Sequence, residues 1–142
     1  MTERKPAWPW WLLVGAVAAW LLWMTLRPNQ TVADSLSALT TPAARRGLST
    51  HLLIDLAGNV VVFVPLGAVL ALAMGGKPVG RRLLLATLGG SLLSLSIELL
   101  QTALPSRVTA LDDWLLNTTG TGLGALMGWW MQGRYQGPRI RT

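Results

Sequence analysis

The chain predicts an all-α fold, an integral membrane bundle of four transmembrane helices with both termini cytoplasmic. Three observations predict it. Hydrophobic residues make up 51% of the 142 residues and charged ones only 13%, about half of what a water-facing surface normally carries. Four apolar stretches each approach the length of about 20 residues needed to cross a bilayer. Lys and Arg gather on one side of those stretches, as cytoplasmic loops require. A mean hydropathy of +0.45, with 15 Gly and 8 Trp against one Tyr and one Phe, excludes disorder, collagen, coiled coil and disulfide scaffolds. The absence of cysteine removes thiol catalysis and Cys-based zinc or iron–sulfur sites. A formal charge of +6 would suggest nucleic acid in a soluble protein. Here the positive charges fall between apolar runs, so membrane topology accounts for them and no nucleic-acid partner is expected.

The whole chain, 1–142, reads as one membrane domain. Span one covers about residues 7–26. It opens with Trp8, Trp10 and Trp11 and closes with Trp20 and Trp23, aromatic residues suited to the two interfaces. A cleaved signal peptide competes for this segment, since Arg4 and Lys5 precede it, but the run is bulky and has no clear A-x-A cleavage site. The loop from Arg27 to His51 is rich in Ser, Thr, Asn and Ala, and its Pro28 and Pro42 discourage long helices. Span two covers about 52–74, with Asp55 and Asn59 near its start and Pro65 inside. Span three, about 83–104, carries Glu98 and Gln101 near its end. Span four, about 113–132, ends in Trp129 and Trp130.

Orientation follows from the basic residues. Arg4, Lys5, Lys77, Arg81, Arg82, Arg134, Arg139 and Arg141 lie on one side and Arg27, Arg45, Arg46 and Arg107 on the other, eight against four. The excess marks the cytoplasmic side, so the protein is expected in the bacterial cytoplasmic membrane as a multi-pass protein. The three basic residues near 77–82 and the three after 133 are sufficiently explained by this topology and by attraction to anionic lipid.

Topology then gathers the polar residues. Spans two and four begin on the outer side and span three ends there. Asn59, Glu98 and Asn117 therefore each sit roughly 6 to 11 Å below the outer end of their helix. Residues three and four apart share a face. Asp55 and Asn59 do so, as do Thr87, Ser91, Ser94, Glu98 and Gln101 in span three, and Asp113, Asn117, Gly120, Gly124 and Gly128 in span four. The last stripe is of the Gly-x-x-x-Gly kind, which lets helices approach closely in lipid and marks the bundle-facing side. A short internal repeat agrees: D-x-x-x-N occurs at Asp55–Asn59 and at Asp113–Asn117, followed by Leu66-Gly67-Ala68 and Leu123-Gly124-Ala125. Two helical hairpins related by an axis along the membrane normal would bring both D-x-x-x-N ends together.

At this level of detail the chain resembles the VanZ-like family of small bacterial membrane proteins. Asn59-x-x-x-Phe63-x-Pro65-x-Gly67 is similar to its second-helix signature and Ile97-Glu98-Leu-Leu-Gln101 to its third-helix motif. Arg107 followed by Asp113-x-x-x-Asn117-x-x-Gly120-x-x-x-Gly124 is similar to its closing motif. The matched region is about 55–128. Many relatives carry another acidic residue just before Asp112-Asp113, where this chain has Ala110-Leu111. The resemblance implies an integral cell-envelope protein, because the family's namesake is associated with low-level resistance to the glycopeptide teicoplanin. Glycopeptides act outside the cytoplasmic membrane, on the same side as the polar cluster.

The residues leave three function classes open. Ionisable groups inside a membrane cost roughly 2.5 to 3.5 kcal/mol each on insertion scales, so they persist where they pair or work. Asp55, Asn59, Glu98, Gln101, Arg107, Asp113 and Asn117 are the candidate ligand-binding residues. In the first class they recognise an envelope lipid, a cell-wall precursor or a glycopeptide. In the second, Asp55, Glu98 and Asp113 hold Mg²⁺ or another hard divalent cation such as Mn²⁺ or Ca²⁺. The chain would then be a metal-assisted hydrolase or transferase acting on a lipid-linked phosphate, with Glu98, Asp113, Asp55 and Arg107 as catalytic candidates. In the third, Glu98 relays protons in a small carrier or channel subunit, with Pro65 loosening span two; four short spans make this a homo-oligomer. The bland alternatives are a carboxyl that merely holds span three to its neighbours at Glu98, and helix N-terminal caps at Asp55 and Asp113. His51 reads as an interface residue.

Overall fold

Apolar stretches of about 20 residues can satisfy their backbone groups internally only as helices, and among its described residues the computed structural model has four: α1 (Trp8–Thr25), α2 (Leu48–Ala73), α3 (Val79–Thr102) and α4 (Leu111–Tyr135). The structure describes the backbone of residues 6–25, 48–102 and 111–135, and their side chains except those of 48–56 and 135. Among the described residues there is no strand. The four expected helices are present among the described residues, in the expected order. α2 starts at Leu48, inside the stretch read as loop, and Pro28 and Pro42 lie outside the described residues. α1 and α3 are long and apolar enough to cross a membrane, whereas the apolar part of α2, Ala57–Ala73, is shorter.

α2 and α4 form the centre of the bundle, with α3 packed mainly on α4 and α1 on α2. Residues facing one another advance together along both central helices. Gly120 meets Val60, Gly124 meets Val64 and Ala68, and Gly128 meets Ala68, so α2 and α4 run parallel. A Cβ added at Gly120, Gly124 or Gly128 would come within 3.0 Å of α2 backbone atoms. The glycine stripe of α4 is therefore the bundle-facing side, as its spacing predicts. The two copies of the Leu-Gly-Ala repeat meet reciprocally: Gly67 packs against the backbone of Thr121 and Ala125, and Gly124 against that of Val64 and Ala68.

α3 is polar inside and apolar outside. Arg82, Ala86, Gly90, Ser94, Ile97, Glu98 and Gln101 are buried, while Leu84, Leu88, Leu92, Leu95 and Leu99 form an exposed stripe along the opposite face. That is the reverse of a helix on a water-soluble core, and it suits a hydrocarbon surrounding, where leucine outside costs nothing and polar groups pair within. The polar stripe expected on α3 is rotated in part. Ser94, Glu98 and Gln101 are buried, but Thr87 and Ser91 are only half-buried. The reason is steric: a Cβ at Gly90 would come within 3.0 Å of the Thr121 side chain, so Ala86 and Gly90 are what fit against α4 at that level. A small apolar core of Leu21, Phe63, Leu66, Leu70, Ala71, Ala86, Ile97 and Ala125 fills the centre. Pro65 is exposed within a continuous α2.

Candidate functional site

The polar residues of α2, α3 and α4 meet at one end of the bundle, at the C-terminal end of α1. The amide of Asn59 donates from Nδ2 to Asp113 Oδ1 at 2.6 Å, joining α2 to α4. One helical turn deeper, Asn117 Nδ2 donates to Ser94 Oγ at 2.9 Å, joining α4 to α3. Glu98 follows Ser94 by one turn on the same face of α3 and is 5% exposed. One more turn towards the helix end, Gln101 donates from Nε2 to the Thr25 carbonyl at 3.0 Å, so α1 closes the set. Asp112 and Asp113 lie in the first turn of α4, where the helix dipole favours negative charge.

Sequence reasoning brings these residues to one depth, and the structure brings Asn59, Glu98, Gln101, Asp113 and Asn117 to one end. The Asp55 and His51 side chains and Arg107 lie outside the described residues. Among the described residues no three His, Cys, Asp or Glu side chains are grouped to share an ion; the expected metal set of Asp55, Glu98 and Asp113 includes one side chain that is not described. The two D-x-x-x-N motifs are used differently. Asn59 reaches across to Asp113 of the other motif, while Asn117 turns to Ser94 and leaves its Oδ1 buried without a partner.

Several participants are absent from the sequence reading. Thr121, fully buried, donates to the Asn117 carbonyl at 2.9 Å, and Trp114 donates from Nε1 to the Ser91 carbonyl at 3.2 Å. Thr25 enters only through its backbone, which leaves no mark on side-chain spacing. Trp114 could have been noticed as the one tryptophan beside the closing motif. Arg82, read from sequence as a topology charge outside span three, is instead buried at the opposite end of the bundle and bonded to Gln132 of α4.

A hydrogen bond to a carboxylate is worth more than a neutral one, though membrane measurements temper that value. A double-mutant cycle on Asn59→Ala and Asp113→Ala, read by thermal unfolding, is expected to give a coupling of about 1 to 2 kcal/mol. A coupling near zero would mean the two side chains do not hold α2 to α4.

The family model described as VanZ/LLP1 matches residues 4–132, a range that includes α1 and residues 26–47 as well as the polar motifs. No curated protein and no solved structure matches the chain. With nearly all of its length under one family model, the chain belongs to the VanZ/LLP1 family.

Proposed function

We propose that the chain is a four-span protein of the bacterial cytoplasmic membrane, both termini inside, whose outer-end cluster binds the polar part of an envelope ligand bearing N–H and O–H donors. The observation that carries the reading is the Asn117 amide, 6% exposed, whose Oδ1 has no partner. A buried acceptor left unmade costs about 1 to 3 kcal/mol, which a ligand donor would recover. Around it the site is acidic: the carboxylates of Glu98 and Asp113 share the same end. Sugar hydroxyls and peptide amides match such a set, so a cell-wall precursor or a glycopeptide fits better than a bare lipid phosphate, which the carboxylates would repel without a cation. The inside-out polarity of α3 supports the membrane placement, and the eight-to-four distribution of basic residues supports the orientation.

The lack of native cysteine makes the topology directly testable. A Leu111→Cys variant should react with a membrane-impermeant maleimide in spheroplasts, and Gly76→Cys only after permeabilisation; the opposite pattern would invert the protein and detach the cluster from the envelope side. For the ligand, teicoplanin and a lipid-linked cell-wall precursor should each be titrated against the purified protein, following thermal unfolding by tryptophan emission. Stabilisation by either in wild type and its loss in Asn117→Leu is the expected result. Stabilisation that appears only when Mg²⁺ is added together with a lipid-linked phosphate would replace the binding reading with the hydrolytic one.

A further inference from the structure

The end of the bundle away from the acidic cluster holds a second buried polar group. Arg82 lies in the first turn of α3 and is only 4% exposed. Its Nη1 donates to Gln132 Oε1 of α4, while Nε and Nη2 are buried with no partner. Those two N–H bonds lie parallel along one edge of the guanidinium, the edge that receives two oxygens of a phosphate or carboxylate at once. No carboxylate is available nearby: among the described residues at this end, 6–10, 70–86 and 125–135, there is neither Asp nor Glu. The acids of the other cluster begin at Glu98, roughly 24 Å away along α3.

We propose that Arg82 is a phosphate-binding site for an anionic phospholipid of the inner leaflet, with its Nε–H and Nη2–H edge on the headgroup phosphate and Gln132 fixing the orientation of the guanidinium. This rests on the membrane reading above. A buried cation without an anion is costly, and a phosphodiester supplies the missing charge together with two acceptors. Lys77 and Arg81, both exposed beside it, raise the local concentration of anionic lipid. The lipid source is favoured over free phosphate by the apolar groove on the same α3–α4 junction, lined by Leu83, Leu84, Thr87, Leu123 and Leu126, which suits an acyl chain. Gln132 also packs against the turn at Gly75; entry requires the Gly75-Gly76 turn to yield, and that turn carries no side chain to obstruct it.

The test is thermal unfolding of delipidated protein in uncharged detergent, followed by tryptophan emission, with phosphatidylglycerol, diacylglycerol or inorganic phosphate added. Phosphatidylglycerol should raise the midpoint saturably and the other two should not. Arg82→Gln should weaken the apparent affinity by roughly 10- to 100-fold. Arg82→Lys keeps the buried charge but not the two-pronged edge, so it serves where the glutamine variant fails to fold, and its affinity should fall about tenfold. Equal stabilisation of wild type and both variants would assign the effect to Lys77 and Arg81 and overturn the site. An equal effect of inorganic phosphate, or of diacylglycerol, would overturn the lipid or the phosphate half respectively. Carbonate extraction separates this from the membrane reading: release of the wild-type chain by carbonate sinks both, while retention without a phosphatidylglycerol effect sinks the Arg82 site alone.

Discussion

Gly124→Ala is expected to destabilise the bundle by about 3 kcal/mol or more. The added methyl would be driven into the Val64 carbonyl and the Ala68 amide of α2, and these are backbone atoms that no rotamer change can move. α2 and α4 must separate, and Gly67, seated against Thr121 and Ala125 of the same seam, loses its contacts too. In lipid the loss is not offset by hydrophobic burial elsewhere, because helix association there depends on close van der Waals packing. Gly133→Ala is the control. Nothing lies within 4 Å of its added Cβ, so the change should be neutral or stabilise α4 by up to about 1 kcal/mol through helix propensity. Thermal unfolding in detergent reads both. Equal behaviour of the two variants would mean that α2 and α4 do not approach as closely as the structure has them.

Glu98→Gln should lower ligand affinity by roughly 10- to 100-fold while leaving membrane insertion intact and the unfolding midpoint within a few degrees of wild type. The substitution keeps the size of the side chain, exchanges one acceptor oxygen for an amide N–H donor group and removes the ability to ionise. A structural carboxyl, present merely to tie α3 to its neighbours, would be replaced by an amide at little cost; a carboxylate that receives ligand donors would not. Retained affinity would assign Glu98 to the structure of the bundle, and loss of insertion would do so more strongly. The variant that isolates the neighbouring acceptor, Asn117→Leu, should give a comparable loss of affinity, since Asn117 bonds to Ser94, one turn from Glu98 on the same face of α3.

Much of this architecture is visible in the order of residues alone, because each feature is a property of one helix. The length and apolarity of α1 and α3, the glycine stripe of α4 with its inward face, and the gathering of Asn59, Glu98 and Asn117 towards one end of the bundle all follow from a rise of 1.5 Å and a period of 3.6 residues. Pairing does not follow from them. Asn59 shares a face with Asp55 four residues earlier, yet its amide bonds to Asp113 on another helix; Asn117, its counterpart in the repeat, goes to Ser94 instead. Periodicity defines the faces of a helix but not how far the helix is rotated against its neighbours. On α3 that rotation is set by Gly90 against Thr121, a contact between residues 31 positions apart by their numbers, and it turns Thr87 and Ser91 partly outward. The same non-local packing draws Arg82 under cover beside Gln132, where its charge reads from the chain as one more cytoplasmic marker. Side-chain partners between helices depend on two rotations and one translation at once, and those are settled only when the glycine surfaces of α2, α3 and α4 close on one another.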